Sequence, residues 1–279
     1  MAIVLQSTRR VAWAVFCSGI RYRVGPVSKI HSLFVYNRGL RQRRSHVEMH
    51  EADYNLQLLR RIGIRVGSRR VPTHVSVPAD AREWAGKWLE SKGWGPNSPG
   101  SKDPIIIVHP GMGGSALNWP EAHYIHLIRA LAFEKRRVLV TGGVLEGKIL
   151  ESIKQQLGDY AQRVHFYGGP DAGPVDYLAA LMERAAVVLA PSTGPLHMAV
   201  ALGKQVVTFF SPIRVQSAVR WGPYLVDDSR AKVLVPENYC GEDFKCRGKV
   251  CNYFPCMKSI TVPEALENIH QHLSRQPQN

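Results

Sequence analysis

No apolar run in this chain approaches the ~20 residues needed to cross a bilayer, so no stretch reads as a membrane span. Acidic residues are scarce at the start. Residues 1–75 hold three Asp or Glu against fourteen Lys or Arg, which leaves only +3 of the formal +14 for the remainder. That asymmetry implies an anionic partner for the N-terminal part: nucleic acid, an anionic membrane surface or an acidic substrate. No helix-turn-helix, RNP-like or zinc-finger pattern accompanies the charge, so nucleic acid is not expected.

Cysteine is sparse and late. Only five occur in 279 residues, and Cys240, Cys246, Cys251 and Cys256 are bunched, which is no secreted disulfide framework in a chain this long. Five, four and four residues separate them, without the C-x2-C pairs that structural zinc sites favour. The expectation is reduced thiols or an occasional disulfide, and no metal. A secretory leader is not expected either. Arg9-Arg10 precedes an apolar stretch, 11–20, but the stretch is short, lacks a small-residue cleavage site and is closed by Arg21 and Arg23. Phe16 before Cys17 speaks against a lipid-modified cysteine. The expected location is cytoplasmic.

At 45% hydrophobic and 21% charged residues the chain is globular, with length for one large or two ordinary domains. Residues 1–75 offer strands at 2–5 and 21–25, helices at 8–18 and 48–62, and a basic loop at 38–44. Residues 76–103 read as a linker around one helix, 79–92, with a Gly/Ser/Pro-rich tract at 93–101. From 104 the pattern is regular. Strands at 105–109, 137–141, 163–166, 186–190 and 205–209 alternate with helices at 120–134, 146–157, 175–184 and one from Pro195. This alternation specifies an α/β fold with a doubly wound parallel sheet.

The stretch from Ala190 to Gly203 organises the rest. A buried strand runs into Ser192-Thr193-Gly194, and Pro195 falls where the first helical residue would be, suited by its missing N–H. Free backbone N–H groups and the positive end of a helix dipole then point at one place, beside the Ser192 and Thr193 hydroxyls, with His197 on the first turn. That is an anion site, best matched by a phosphate. Three further strand ends carry glycine: 111–115, Gly142-Gly143 and Gly168-Gly169. In such sheets ligands bind at the carboxyl ends of the strands.

Gly111 to Ala116 fits the G-x-G-x-x-A dinucleotide fingerprint. Against a nicotinamide-dependent oxidoreductase, the next helix starts only at Pro120, and the following strand ends Val140-Thr141 with no acidic residue. No G-K-[ST] supplies a Walker lysine.

His109-Pro110-Gly111-Met112-Gly113-Gly114-Ser115 with Asn118-Trp119-Pro120, then Thr141-Gly142-Gly143 with Glu146, then Ser192-Thr193-Gly194-Pro195-Leu196-His197 resemble the donor-domain motifs of the heptosyltransferases. These are the lipopolysaccharide-core enzymes of glycosyltransferase family 9. Phe254-Pro255-Cys256-Met257-Lys258 with Ile260-Thr261-Val262 resembles that family's C-terminus. The resemblance implies a GT-B-like fold: a complete Rossmann-like donor domain at 104–279 and a partial acceptor-side domain at 1–75. It implies inverting, metal-independent transfer of heptose from ADP-heptose to an anionic glycolipid acceptor, at or near the inner membrane and without a cofactor. Gly113, Gly114, Ser115, Thr193 and Gly194 would hold the diphosphate, with Ser192 also in the donor site, His197 close by and Glu146 near the ribose. The departures are specific. Asn118 stands where some members have a basic residue, and Ser192 where some have aspartate. No counterpart of the family's opening strand and its catalytic aspartate precedes Ala2, and nothing in the sequence places Glu51 or Asp53 in that role. A non-catalytic nucleotide-sugar-binding remnant is therefore the alternative to an active transferase.

Overall fold

The computed structural model describes all residues except 68, 101, 115, 239, 241–244 and 276–279. Among them two parallel sheets form. The first contains β1 (Ala2–Ile3), β2 (Arg23–Pro26) and β3 (Arg38–Leu40), in that order. Two helices connect these strands. The first, α1 (Arg9–Cys17), is capped by Thr8 accepting from Val11 N, and α2 (Ile30–Leu33) follows. Val4, Ala12, Val35 and Tyr36 make their small core. The basic stretch 38–44, expected as a loop, contributes a strand instead. Val24, Gly25 and Pro26 pair with Arg38, Gly39 and Leu40. Pairing uses only the backbone, so an arginine at an edge position does not prevent it. The helix expected over 48–62 divides into α3 (Glu51–Gln57) and a 3-10 turn, Leu58–Ile62, closed by Gly63.

The second sheet holds β4 (Ile105–Val108), β5 (Arg137–Thr141), β6 (Val164–Tyr167), β7 (Ala185–Pro191), β8 (Gln205–Phe209) and β9 (Ala231–Leu234), all parallel. Their order is β6-β5-β4-β7-β8-β9. The chain therefore builds outward from β4 on one side, returns, and builds outward from β7 on the other. Strand β9 has no signal in the sequence. It is short, carries Lys232, and gains its identity only by pairing with β8.

Alternation along β4 divides the core. Ile106 and Val108 face one layer with Leu127, Ile128 and Leu131 of α5 (Glu121–Phe133), Ile153 of α6 (Gly147–Leu157) and Ile269 of α10 (Val262–Ser274). Ile105 and Ile107 face the other, with Ala85 and Leu89 of α4 (Ala79–Ser91), Ala180 of α7 (Val175–Glu183) and Leu196 and Ala199 of α8 (Gly194–Ala201). The segment 76–103 is thus a connection in sequence and an outer layer of this sheet in space. Trp84 of α4 stacks on Tyr177 of α7 at 4.0 Å. Helices α4, α5 and α7 each follow a proline and carry an acidic residue in the first turn (Asp80, Glu121, Asp176), which suits the N-terminal end of the dipole. No helix among the described residues is long and apolar enough to cross a membrane.

Candidate functional site

The strand order reverses between the parallel neighbours β4 and β7, so the loops leaving their carboxyl ends run to opposite sides of the sheet, which is where a crevice opens in folds of this kind. One wall is the loop after β4. Gly113 (φ +59°) and Gly114 (φ +75°) take left-handed backbone, which turns the chain sharply and bares main-chain N–H groups. Gly111 is required for a different reason. A Cβ there would lie 1.9 Å from Glu146 Oε1, so only hydrogen leaves room for the carboxylate. Gly111, Gly113, Gly114, Asn118, Glu146 and Lys148 line a cavity of about 610 Å³.

Glu146 sits in the turn after β5. Its Oε2 accepts from Gly143 N at 2.5 Å and lies 3.6 Å from His109 Nε2. His109, at the end of β4, is buried with Nδ1 3.0 Å from Thr141 Oγ1. Burial pushes its pKa down to about 4, and Glu146 only partly opposes this, so the imidazole is neutral near pH 7. It serves as a polar floor beneath Glu146.

Asn118 is a brace, with both ends of its amide occupied inside the protein. Nδ2–H donates to Pro110 O (2.8 Å), and Oδ1 accepts from Trp119 N (2.8 Å) and Tyr124 O–H (2.9 Å). Trp119 in turn stacks on Phe209 at 4.4 Å and donates from Nε1 to Ile260 O (2.9 Å). The loop after β4 is thereby pinned to α5 and to the segment before α10.

The second wall is the β7–α8 junction. Helix α8 begins at Gly194, so Pro195 is its second residue rather than its first. Pro195 has no N–H and Leu196 N–H donates to Thr193 O at 3.1 Å, so the first turn offers an anion the Gly194 N–H and the positive end of the dipole. Thr193 is the N-cap in extended backbone (φ −148°), and its side chain makes no capping hydrogen bond. Its hydroxyl and that of Ser192 stand at the helix N-terminus, beside the exposed Gly194. His197, on the first turn, is largely buried. Burial lowers its pKa, and His50 adds to the shift.

The structure thus gathers Gly113, Gly114 and Glu146 around one cavity, and places Ser192, Thr193, Gly194 and His197 at the end of the adjoining strand. Ser115 lies outside the described residues. His50 carries no signal in the sequence. Its Nδ1 accepts from Ala52 N (3.0 Å), capping α3, while Nε2–H donates to Gly222 O (2.9 Å). It joins the N-terminal segment to the turn after α9 (Ala218–Trp221). Glu51 bridges Arg44 and Arg220, the latter at 2.9 Å. Tyr224 O–H donates to Asp53 Oδ1 at 2.6 Å. Both carboxylates of α3 are committed to this seam. Sequence spacing carries no hint of it, since the partners lie some 170 residues apart. Lys148 of the cavity wall does have a sequence signal, its place two residues after Glu146, although it falls outside the motifs. No group of three or more His, Cys, Asp or Glu side chains among the described residues is arranged to hold a metal ion. The crevice offers an anion backbone dipoles and hydroxyls.

Residues 1–253 match the model of glycosyltransferase family 9 (heptosyltransferase). The chain belongs to glycosyltransferase family 9. This family 9 chain is 33% identical over 219 residues to a Haemophilus influenzae protein provisionally named a glycosyltransferase, a match that takes in 77% of the chain and 60% of that relative's length. Its fold is similar to that of Escherichia coli ADP-heptose lipopolysaccharide heptosyltransferase II, with TM-score 0.72 and 17% identity over 96% of this chain and 74% of that one. A family 9 glycosyl transferase of Veillonella parvula gives TM-score 0.74 at 16% identity, covering 98% and 73%. The E. coli heptosyltransferase WaaC with ADP gives 0.62 at 16%, covering 97% and 72%. The family 9 chain has the α/β, GT-B-like fold of these proteins.

Proposed function

We propose that the chain binds a nucleoside-diphosphate heptose, of the ADP-heptose kind, in the β4–β7 crevice. We further propose that the protein transfers the heptose, with inversion and without a metal, to an anionic glycolipid of the lipopolysaccharide core. One observation supports this reading: the left-handed Gly113-Gly114 turn and the N-terminus of α8 follow the carboxyl ends of the neighbouring strands β4 and β7, and the glycine turn lines a cavity of nucleotide size. Backbone N–H groups of Gly113, Gly114, Thr193 and Gly194, with the Ser115, Ser192 and Thr193 hydroxyls, would receive the diphosphate. Glu146 would accept from ribose hydroxyls, and His197 would lie beside the phosphates. As the glycosidic bond breaks, negative charge grows on the departing diphosphate, and fixed dipoles stabilise it without reorganising. The basic N-terminal segment would meet the phosphorylated acceptor at an anionic membrane surface.

A second reading, a nucleotide-sugar-binding protein without catalysis, is favoured by the state of Glu51 and Asp53. Both carboxylates are held in an ion-paired or hydrogen-bonded seam, and neither is poised to take a proton from an acceptor. Calorimetry with ADP and ADP-heptose tests the shared part: binding by the wild-type chain and its loss in the Thr193→Val/His197→Ala double variant. Equal binding by the variant would remove the site. Transfer of labelled heptose to core glycolipid separates the two readings. A general base typically contributes 10²–10⁴-fold, so transfer at or below the low end of that deficit supports the binding protein.

A further inference from the structure

One glycine-bearing strand end takes no part in the β4–β7 crevice. Gly168-Gly169, after β6, lines a different cavity of about 460 Å³. Its glycines answer to close approach: a Cβ on Gly168 would lie 1.9 Å from Gly142 O, and one on Gly169 3.0 Å from Gly147 Cα. The turns after β5 and β6 can therefore touch, with Gly169 N–H donating to Gly143 O at 3.2 Å. Glu146 and Lys148 belong to the cavity described above, whereas Gly147, Leu150, Glu151 and Lys154 line this one. The start of α6 thus separates two cavities.

Strand β6 ends the larger sheet, and among the described residues no strand pairs with its outer side. Helices α4 and α6 cover opposite faces of the sheet, so the cavity they both line lies at this open edge. From α4 come Trp84, Trp88 and Lys92, four residues apart and hence on one face. Both tryptophans are half-buried, with their rings 6.3 Å apart and within 28° of parallel. Tyr167 meets both edge-on, at 5.5 and 5.9 Å, and Tyr177 covers one face of Trp84 at 4.0 Å. The indoles are therefore fixed before any ligand arrives, which removes an ordering cost from binding.

The polar groups of this cavity are balanced in charge. Two ammonium groups, of Lys92 and Lys154, share it with two carboxylates, of Glu151 and Asp171. A phosphate would meet both carboxylates, and a cation would meet both lysines. Hydroxyl groups donate and accept alike, so they can use all four. Indole rings beside such a rim suit the apolar C–H face of a pyranose, whose hydroxyls project around its edge. The volume lies within the ordinary range of small-molecule sites.

We propose that the cavity between α4, β6 and α6 is a saccharide site, separate from the β4–β7 crevice, that takes a neutral pyranose against Trp84 and Trp88. Lys92, Lys154, Glu151 and Asp171 hydrogen-bond its hydroxyls. The recognising chemistry is the same for a free sugar and for a sugar within a glycan, and the choice of probes distinguishes them.

The test is ligand-observed saturation-transfer NMR on the full chain, with and without excess ADP. The probes are the methyl pyranosides of glucose, galactose and mannose, together with maltotriose and mannotriose. The expected result is binding in the millimolar range, with transfer strongest to the C–H protons of one ring face and unchanged by ADP. Tighter binding of a trisaccharide than of its monosaccharide assigns the site to a glycan, and equal binding assigns it to a free sugar. Trp88→Ala should weaken binding at least ~10-fold. Lys154→Ala/Asp171→Ala, which alters two exposed side chains and leaves the core intact, should weaken it as well. Trp13→Ala, exposed on α1, should leave it unchanged. Three outcomes would overturn the site: no transfer to any probe, binding undiminished in both cavity variants, or displacement of the sugar by ADP. A chain that binds sugar but not ADP would remove the nucleotide reading and leave this site standing, so the two fail separately.

Discussion

Gly111 and Glu146 meet so closely that a methyl group on the first would occupy the carboxylate of the second, 1.9 Å from Oε1. The Gly111→Ala substitution must therefore move Glu146 off Gly143 N. We expect destabilisation of about 1–3 kcal/mol, the range for overpacking, and at least a ~10-fold weaker affinity for ADP. Thermal melting and calorimetry read the two separately. ADP binding unchanged in a correctly folded Gly111→Ala protein would take Glu146 out of the ribose role.

Asn118 makes an energetic prediction of its own. Asn118→Ala leaves Pro110 O, Trp119 N and Tyr124 O–H without their partner. Stranded buried polar groups cost about 1–3 kcal/mol each where water cannot reach them. The expected loss is ~2 kcal/mol or more in urea unfolding. If Asn118 chiefly faced the nucleotide phosphates instead, the substitution would weaken ADP binding and leave the unfolding midpoint in place.

The histidines set an acid limit. His109 (pKa about 4) and His50 both have folded values below the 6.5 of an ordinary imidazole, through burial. The unfolded chain then binds more protons than the folded one. Their contribution is complete above about pH 6.5 and falls away as pH drops toward 4. For His109 alone the shift corresponds to on the order of 3 kcal/mol. Unfolding midpoints measured from about pH 7.5 to 4.5 should decline through this window, and a flat profile would contradict the buried neutral His109.

His197 gives the opposite sign for ligand binding. In the ligand-free protein its pKa is lowered, by burial first and by His50 second. An adjacent phosphate raises it. ADP binding should therefore take up protons, and affinity should rise as pH falls from about 7.5 toward 6.5, where the fold is still intact. Calorimetry in buffers of differing ionisation enthalpy measures the uptake, which His197→Asn should abolish. Uptake that persists in His197→Asn would assign the proton to another group.

The seam between the N-terminal segment and the larger sheet can be tested through Glu51. Glu51→Gln keeps the shape but removes the charge shared by Arg44 and Arg220. Both guanidiniums are then left half-buried without a counter-charge, which costs about 3–5 kcal/mol for a buried pair and less here because water reaches the edges. Faster proteolysis between residues 64 and 78, with α5 and β4 still protected in hydrogen exchange, would show the seam loosening alone.

Much of the larger sheet is legible in the sequence. Ile105 to Val108 and Ala185 to Leu189 are continuous apolar runs, and buried parallel strands need apolar residues on both faces. The glycine-bearing strand ends are legible for the same local reason, since a left-handed turn such as Gly113-Gly114 shows its requirement in the residue itself. Strand β9 and the arginine-bearing β3 are not, because each exists through backbone pairing with a neighbour that composition does not name. Asn118 shows the same limit at the site. In the sequence it reads as the loss of a phosphate-facing charge, and the fold uses it as an internal brace.

Local chemistry thus determined the alternating α/β order, the anion-seeking strand ends and the basic N-terminal surface, because each depends on residues adjacent in the chain. The tertiary structure decided what depends on distant residues meeting: Glu146 over Gly111, His50 on Gly222, and Asp53 on Tyr224. Those contacts follow from the strand order and the packing of helices upon it, and short-range spacing carries no record of either.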